Sequence, residues 1–262
     1  MAEPLVKIKL HDTVGTIILN RPEKRNALTR AMLGDIRQAF RDLHGERRVR
    51  AVILTGAGSA FCAGMDLAEM LQTTKADDAM QVWHEDAVLF RDLLLETMLR
   101  FPKPIIAAVN GPALAGGAGL MLASDIVVAA DSATFGLPEP RRGLVAGIVS
   151  PLLTFRLGAG HAARLLLTGE VIDAAEAHRL GLFHELTAAD NTWVRAAEIV
   201  NQCAQCAPES LQLTKRMLNE TIGEHLVTLL TAGAACSATA RTTEAAEEGL
   251  AAFVEKRDPV WP

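Results

Sequence analysis

The chain has 262 residues, half of them hydrophobic and 22% charged, enough apolar material for one large domain or one domain with a small appendage. It holds eight Phe, three Trp and no Tyr, which excludes chemistry that needs a tyrosine acid or base and disfavours stacking of nucleobases. The formal charge of −5, with Lys and Arg scattered, is not the basic footprint of a nucleic-acid binder. Twenty glycines beside so few aromatic groups point to work done by the backbone, at tight turns or at donor N–H groups.

Val6, Ile8 and Leu10 alternate with polar neighbours, and residues 11–15 turn the chain into Thr16-Ile17-Ile18-Leu19, which predicts a β-hairpin. From Thr29, an expected N-cap, Met32, Leu33, Ile36, Ala39, Phe40 and Leu43 recur at helical spacing up to about Gly45. Ala51-Val52-Ile53-Leu54 is a predicted buried strand leading into a glycine-rich loop, residues 56–64. A long helix is expected over residues 78–100, with Met80, Trp83, Ala87, Phe90, Leu94 and Met98 towards one side, stopped by Pro102 and Pro104. The pattern repeats as a strand over 105–109, a turn at Asn110-Gly111-Pro112, a small-residue helix over 116–124 and a strand over 126–129. Beyond Pro138 the expected elements are mostly helical, over 148–157, 162–167 and 174–180, with a short strand near 182–186. From about Thr192 only helices are expected, broken at Pro208, Gly223 and Gly249. The chain thus divides into an α/β part, 1–190, and a helical region, 191–262, with no low-complexity linker between them.

Several common chemistries fail at particular residues. Gly56-Ala57-Gly58 follows a strand, but the third glycine of a dinucleotide-binding turn would fall at Phe61. Neither Gly64-Met65 nor Gly117-Ala118 ends a phosphate-cradling loop with Gly-Lys-Ser/Thr. Cys203-Ala204-Gln205-Cys206 has no second Cys or His pair at zinc spacing, so no metal site is expected. His84-Glu85-Asp86 points in different directions from a helix and is expected on a solvated face. The four cysteines make no disulfide framework, and no run of about 18 apolar residues or basic-then-apolar leader is present; a soluble, cytoplasmic protein with no membrane partner is expected.

Two glycine segments remain, Phe61-Cys62-Ala63-Gly64-Met65-Asp66-Leu67 and residues 111–120 around Gly116-Gly117-Ala118-Gly119. Each follows a buried strand and leads towards a helix. Two helix starts facing each other would place two backbone N–H donors on one oxygen. The glycines would equally serve if they only allow close helix packing.

At these residues the chain resembles the crotonase, or enoyl-CoA hydratase/isomerase, superfamily. Residues 19–28, Leu19-Asn20-Arg21-Pro22-Glu23-Lys24-Arg25-Asn26-Ala27-Leu28, are similar to the family's first CoA-contacting segment. Residues 61–67 and 107–125 are similar to its two oxyanion-hole segments. Phe135-Gly136-Leu137-Pro138-Glu139, Leu167-Thr168-Gly169-Glu170 and residues 252–257 continue the series in order. The glycine-rich stretches 115–120 and 142–151 are closest in motif to bacterial methylglutaconyl-CoA hydratase-like members.

The resemblance implies an α/β, crotonase-like spiral of ββα repeats with a C-terminal helical trimerisation region, as a homotrimer or a hexamer of two trimers. It implies an acyl-CoA thioester substrate, with coenzyme A as part of that substrate and no separate cofactor. Carried over residue by residue, the N–H groups of Met65 and Gly116 would hold the thioester oxygen. Lys24, Arg25 and Ala27 would line the CoA groove, with Ala63 and Met65, Asp66, Leu67 and Ala68 near adenine and pantetheine. Phe253 and Lys256 would approach the CoA of a neighbouring subunit. Met65, Leu67, Met70, Leu71 and the 78–100 helix are expected to line the acyl pocket.

Of the two glutamates of the familiar hydratase, one position is matched by Gly119 and the other by Glu139. Glu139, held between Pro138 and Pro140, is the expected acid/base group; it could instead pair with Arg141 or Arg142 on a surface turn. Hydration of a 2-enoyl-CoA is the first expectation. A single-glutamate isomerase moving a 3-enoyl to a 2-enoyl double bond is the second, and a non-catalytic acyl-CoA-binding member of the fold the third.

Overall fold

The computed structural model describes residues 3–73 and 78–261. Strands β1 (Val6–His11) and β2 (Val14–Leu19) form the expected hairpin. Helix α1 (Arg30–Gly45) starts at Thr29, whose side chain accepts from the Met32 N–H, a cap worth about 1 kcal/mol. Its six predicted apolar residues are all buried. Strand β3 (Ala51–Gly56) then runs parallel to β2, and helix α2 (Leu67–Thr73) is a short element that the apolar periodicity did not announce.

Helix α3 (Ala79–Asp92) continues into a π-helical stretch, Leu93–Leu99. Trp83, Ala87, Phe90, Leu94 and Met98 are buried as expected, whereas Met80 is exposed because it sits in the first turn, ahead of the packed face. Strands β4 (Ile105–Val109), β5 (Ala113–Leu114), helix α4 (Gly116–Leu122), β6 (Ile126–Ala130) and β7 (Thr134–Gly136) follow. The two helices expected between 148 and 167 form one element, α5 (Ser150–Thr168), kinked where Gly158 takes φ 74°.

Strand β8 (Val171–Asp173), helix α6 (Ala174–Arg179) and strand β9 (Glu185–Thr187) lead to helices α7 (Thr192–Ala204), α8 (Pro208–Arg216), α9 (Glu224–Ala240) and α10 (Glu244–Glu255). Gly249 does not break α10. A Cβ there would lie 2.2 Å from the Arg142 carbonyl, so this glycine serves close packing rather than termination.

The larger sheet has the order β1-β2-β3-β4-β6-β9, parallel from β2 onward, and a three-stranded sheet has the order β5-β7-β8. In β3 alternate residues serve opposite faces: Val52 and Leu54 join the cluster that holds α1 and α3, and Ala51 and Ile53 join the one closed by Ala196, Ile199 and Val200 of α7. A parallel sheet buried on both faces explains why these strands read as continuous apolar runs. The last two helices turn back over the core, α9 against α3 and α5, and α10 against α2 and the 3-10 turn Glu139–Arg142.

Candidate active site

The loop after β2 is fixed by Asn26, which is fully buried. Its amide donates to the carbonyls of Ala57, Ala60 and Phe61 at 3.0, 2.8 and 3.2 Å, while its side-chain oxygen accepts from the Arg21 N–H at 2.9 Å. Arg21 in turn pairs with Asp66 at 3.1 Å. These bonds hold residues 24–28 against 63–67.

Leu28 and Met65 form a parallel bridge in which Leu28 uses both its groups: its N–H donates to the Gly64 carbonyl and its carbonyl accepts from the Asp66 N–H. Met65 therefore turns its own N–H to the opposite side. A second bridge joins Cys62 to Ala113 and draws the Gly116 segment alongside. The residue before each donor has positive φ, Gly64 at 95° and Ala115 at 50°, which swings the following N–H out of the run of the chain. Neither the Met65 nor the Gly116 N–H has an acceptor among the described residues. They are neighbours: an ideal Cβ on Gly116 would lie 3.6 Å from the Met65 nitrogen. Of the two readings of the glycines, close packing holds too, since a Cβ on Gly117 would lie 2.3 Å from the Cys62 carbonyl.

Both donors open into a cavity of about 670 Å³. Lys24, Arg25, Ala27, Ala63, Asp66, Leu67, Ala68 and Glu139 line it as well. Gly119 does not: the direction of its Cβ is closed by Val149 at 3.0 Å, Phe90 at 3.1 Å and Leu94 at 3.3 Å, so the position belongs to the apolar wall behind the cavity. Phe253 and Lys256, expected near the CoA of a neighbouring subunit, line the cavity of their own chain, because α10 folds back over it.

Glu139, expected to be held rigidly between its flanking prolines, opens the 3-10 turn after Pro138. No ion pair joins it to Arg141 or Arg142 among the described residues. Arg142 instead stacks on Phe253, 3.9 Å from the ring centroid. Oxygen Oε2 of Glu139 is sealed from solvent and has no hydrogen-bond partner among the described residues. Burial pushes its carboxyl up to about 7, partly offset by its own N–H and by Arg142. That places a proton acceptor near neutrality, where acid/base groups work best.

Met70, Trp83, Asp86, Ala87 and Phe90 line the cavity as well. Leu71, expected in the same lining, is not part of it and packs against Leu144, Ala246 and Leu250. Asp86 is not on a solvated face: it lines the cavity and pairs with Arg30 at 3.0 Å and Arg241 at 3.5 Å. Arg142, considered in the sequence only as a partner for Glu139, and Arg241, which nothing in the spacing of α9 marks, line the cavity too. Cys62 is no nucleophile: it is buried, lies outside the cavity, and burial pushes its thiol up to about 12.

The cavity thus brings together two backbone N–H groups with no acceptor among the described residues and a part-buried carboxyl whose proton affinity is raised. The model of the enoyl-CoA hydratase/isomerase family matches residues 9–262, and the chain belongs to that family. It is 41% identical over 246 residues to a Thermus thermophilus protein named "Putative enoyl-CoA hydratase", covering 94% of this chain and 96% of that one. The crystal structure of an enoyl-CoA hydratase/isomerase from Xanthobacter autotrophicus superposes with TM-score 0.89 at 30% identity, covering 100% of both chains. An enoyl-CoA hydratase from Bacillus anthracis superposes at TM-score 0.77 and 32% identity, covering 98% and 99% of the two chains. The fold is thus crotonase-like and the chain an enzyme of the acyl-CoA class. Among the described residues, no helix is long and apolar enough to cross a membrane.

Proposed function

We propose that this enzyme adds water to the double bond of a 2-enoyl-CoA thioester. The observation that carries the reading is the Glu139 carboxyl, raised to about 7 by burial, in the same cavity as the unpartnered N–H groups of Met65 and Gly116. The thioester oxygen accepts from both donors. Glu139 takes a proton from water as its oxygen bonds to C3, and the π electrons move onto the thioester oxygen as an enolate. The enolate then collapses, C2 takes the proton back from Glu139, and the sum is one water added. Each donor contributes roughly 3 kcal/mol, by analogy with measured oxyanion holes. Lys24, Arg25, Ala27, Ala63, Asp66, Leu67, Ala68, Phe253 and Lys256 form the groove for the CoA part.

One observation favours a second reading. The apolar filling around Gly119 leaves that wall without the second acid, and a single carboxylate suffices to move a proton from one carbon to another. Such an isomerase would convert 3-enoyl to 2-enoyl thioesters. Two assays separate the readings. Loss of conjugated absorbance from 2-enoyl-CoAs, over a panel of short, long and branched chains, supports hydration; no loss with any member contradicts it. Appearance of conjugation from a 3-enoyl-CoA in heavy water, with no loss from any 2-enoyl-CoA, would establish the isomerase instead.

Assembly into trimers is part of the proposal. It is supported by exposed apolar side chains on the C-terminal helices and the segment joining them: Leu213, Met217, Leu218 and Leu229.

A further inference from the structure

The acyl end of the cavity contains two groups that addition of water does not use. Trp83 and Arg241 both line it and are 6% and 8% exposed. The Arg241 guanidinium lies 5.0 Å from the Trp83 ring centroid. Two N–H groups there, Trp83 Nε1 and Arg241 Nε, are buried and have no acceptor among the described residues. The rest of the guanidinium is committed: Nη2 donates to the Met70 carbonyl at 3.2 Å and to the Thr73 hydroxyl at 2.9 Å, and Nη1 lies 3.5 Å from Asp86.

Native interiors leave few buried donors unpaired. Stability alone does not account for two of them meeting in one cavity wall from elements more than 150 residues apart, because Phe and an aliphatic side chain would fill the same space without stranded N–H groups. Asp86 already faces the Arg241 charge, so what this wall lacks is an acceptor atom. Its place along the cavity is set by α3. Phe90, seven residues after Trp83, lies against Gly116, and seven residues of helix span about 10 Å. An occupant held at Met65 and Gly116 by its thioester would reach Trp83 with the far part of its acyl chain.

We propose that Trp83 and Arg241 form a recognition site for an oxygen carried on the acyl chain, remote from the reacting carbons, so that oxygenated acyl-CoA thioesters bind in preference to hydrocarbon chains of equal length. The site rests on the acyl-CoA reading above. The wall yields slightly as the occupant enters, since both nitrogens are closed to bulk water without it. A hydroxyl, a carbonyl or a carboxylate supplies the same accepting chemistry.

The test uses saturated acyl-CoA thioesters, which cannot be hydrated. Calorimetry compares each straight-chain member with twins that carry a hydroxyl or a carboxylate at successive distal carbons, on the wild type and on Trp83→Phe. Phenylalanine keeps an aromatic face towards Arg241 and removes the N–H. At least one oxygenated twin is expected to bind tenfold or more tightly than its hydrocarbon partner, with that ratio falling to about one in Trp83→Phe. In the wild type, the indole N–H resonance of Trp83 should move downfield with the oxygenated twin alone, a readout that does not depend on the variant folding. The hydroxyl and carboxylate arms show which oxygen is preferred, and a gain in either supports the site. Equal binding within every pair overturns it, as does a gain that persists in Trp83→Phe with the indole resonance unmoved. Failure of every thioester to bind contradicts the acyl-CoA reading itself.

Discussion

At the scale of single residues the account turns on Glu139. Its carboxyl stands above the ordinary value because folding buries it, so the folded state favours the protonated form. The stability this lends is complete below the unfolded value near 4.5 and is lost as pH rises through about 7. Glu139→Gln should therefore raise the unfolding free energy by on the order of 2 kcal/mol at pH 8 and by much less at pH 5, measured by denaturant titration. No difference between the two pH values would mean that the carboxyl is not held near 7. Glu139 was legible in the sequence, since Pro138 and Pro140 announce a rigid turn and the family resemblance supplies the role. Trp83 was legible only as part of the helix expected to line the pocket; its meeting with Arg241 was not, because that is a tertiary event between α3 and the end of α9 that no local pattern encodes. Asp86 was misplaced for the same reason, because its inward partner Arg241 lies 155 positions along the chain.

The elements set the geometry of the two backbone donors, Met65 and Gly116. Gly64 at φ 95° cannot take a side chain without strain, and a Cβ there would lie 2.6 Å from the Ala115 Cβ. Gly64→Ala should push apart the segments that hold the Met65 and Gly116 donors and lower kcat by roughly 10²-fold, comparable to the loss of one donor. Circular dichroism should still report a folded chain, and a variant with unchanged kcat would separate the glycine from catalysis. Periodicity found the strands of the larger sheet and most helices because burial enforces it, and α1 matches residue for residue; it missed β5, β7 and β8, whose two or three residues are too few to show a period. It missed α2, seven residues long with no fully buried member, where the Asp66 side chain accepting from the Ala68 N–H sets the start. It split α5 at its glycines, although only Gly158 kinks the helix and Gly160 does not.

For the whole molecule, the C-terminal helices matter as walls of the cavity. The turn that bears Glu139 is clamped by backbone contacts to them. A Cβ on Gly143 would meet the Ala245 carbonyl at 2.0 Å, and one on Gly249 the Arg142 carbonyl at 2.2 Å. Gly249→Ala, on α10, should shift this turn and lower kcat/KM by tenfold or more; unchanged kinetics would show that α10 does not position Glu139. This glycine looked like a helix break in the sequence because close approach and termination leave the same mark on a single chain. Assembly belongs to this scale too. Sedimentation of the intact protein should give a mass of three chains or a multiple, and a monomer that remains fully active would remove assembly from the account. That α10 closes its own subunit's cavity was not legible either, because it depends on where the helical region turns back rather than on its composition.

In the proposed reaction Met65 and Gly116 hold the thioester oxygen while Glu139 alone moves the proton. The most direct test follows hydration of a 2-enoyl-CoA by loss of its conjugated absorbance, in the wild type and in Glu139→Gln, alongside calorimetric binding of a saturated acyl-CoA to both. Wild-type kcat/KM should rise with pH through about 7, and Glu139→Gln should lose two or more orders of magnitude in turnover while still binding the thioester. A Glu139→Gln enzyme that still hydrates at the wild-type rate would rule out Glu139 as the group that moves the proton.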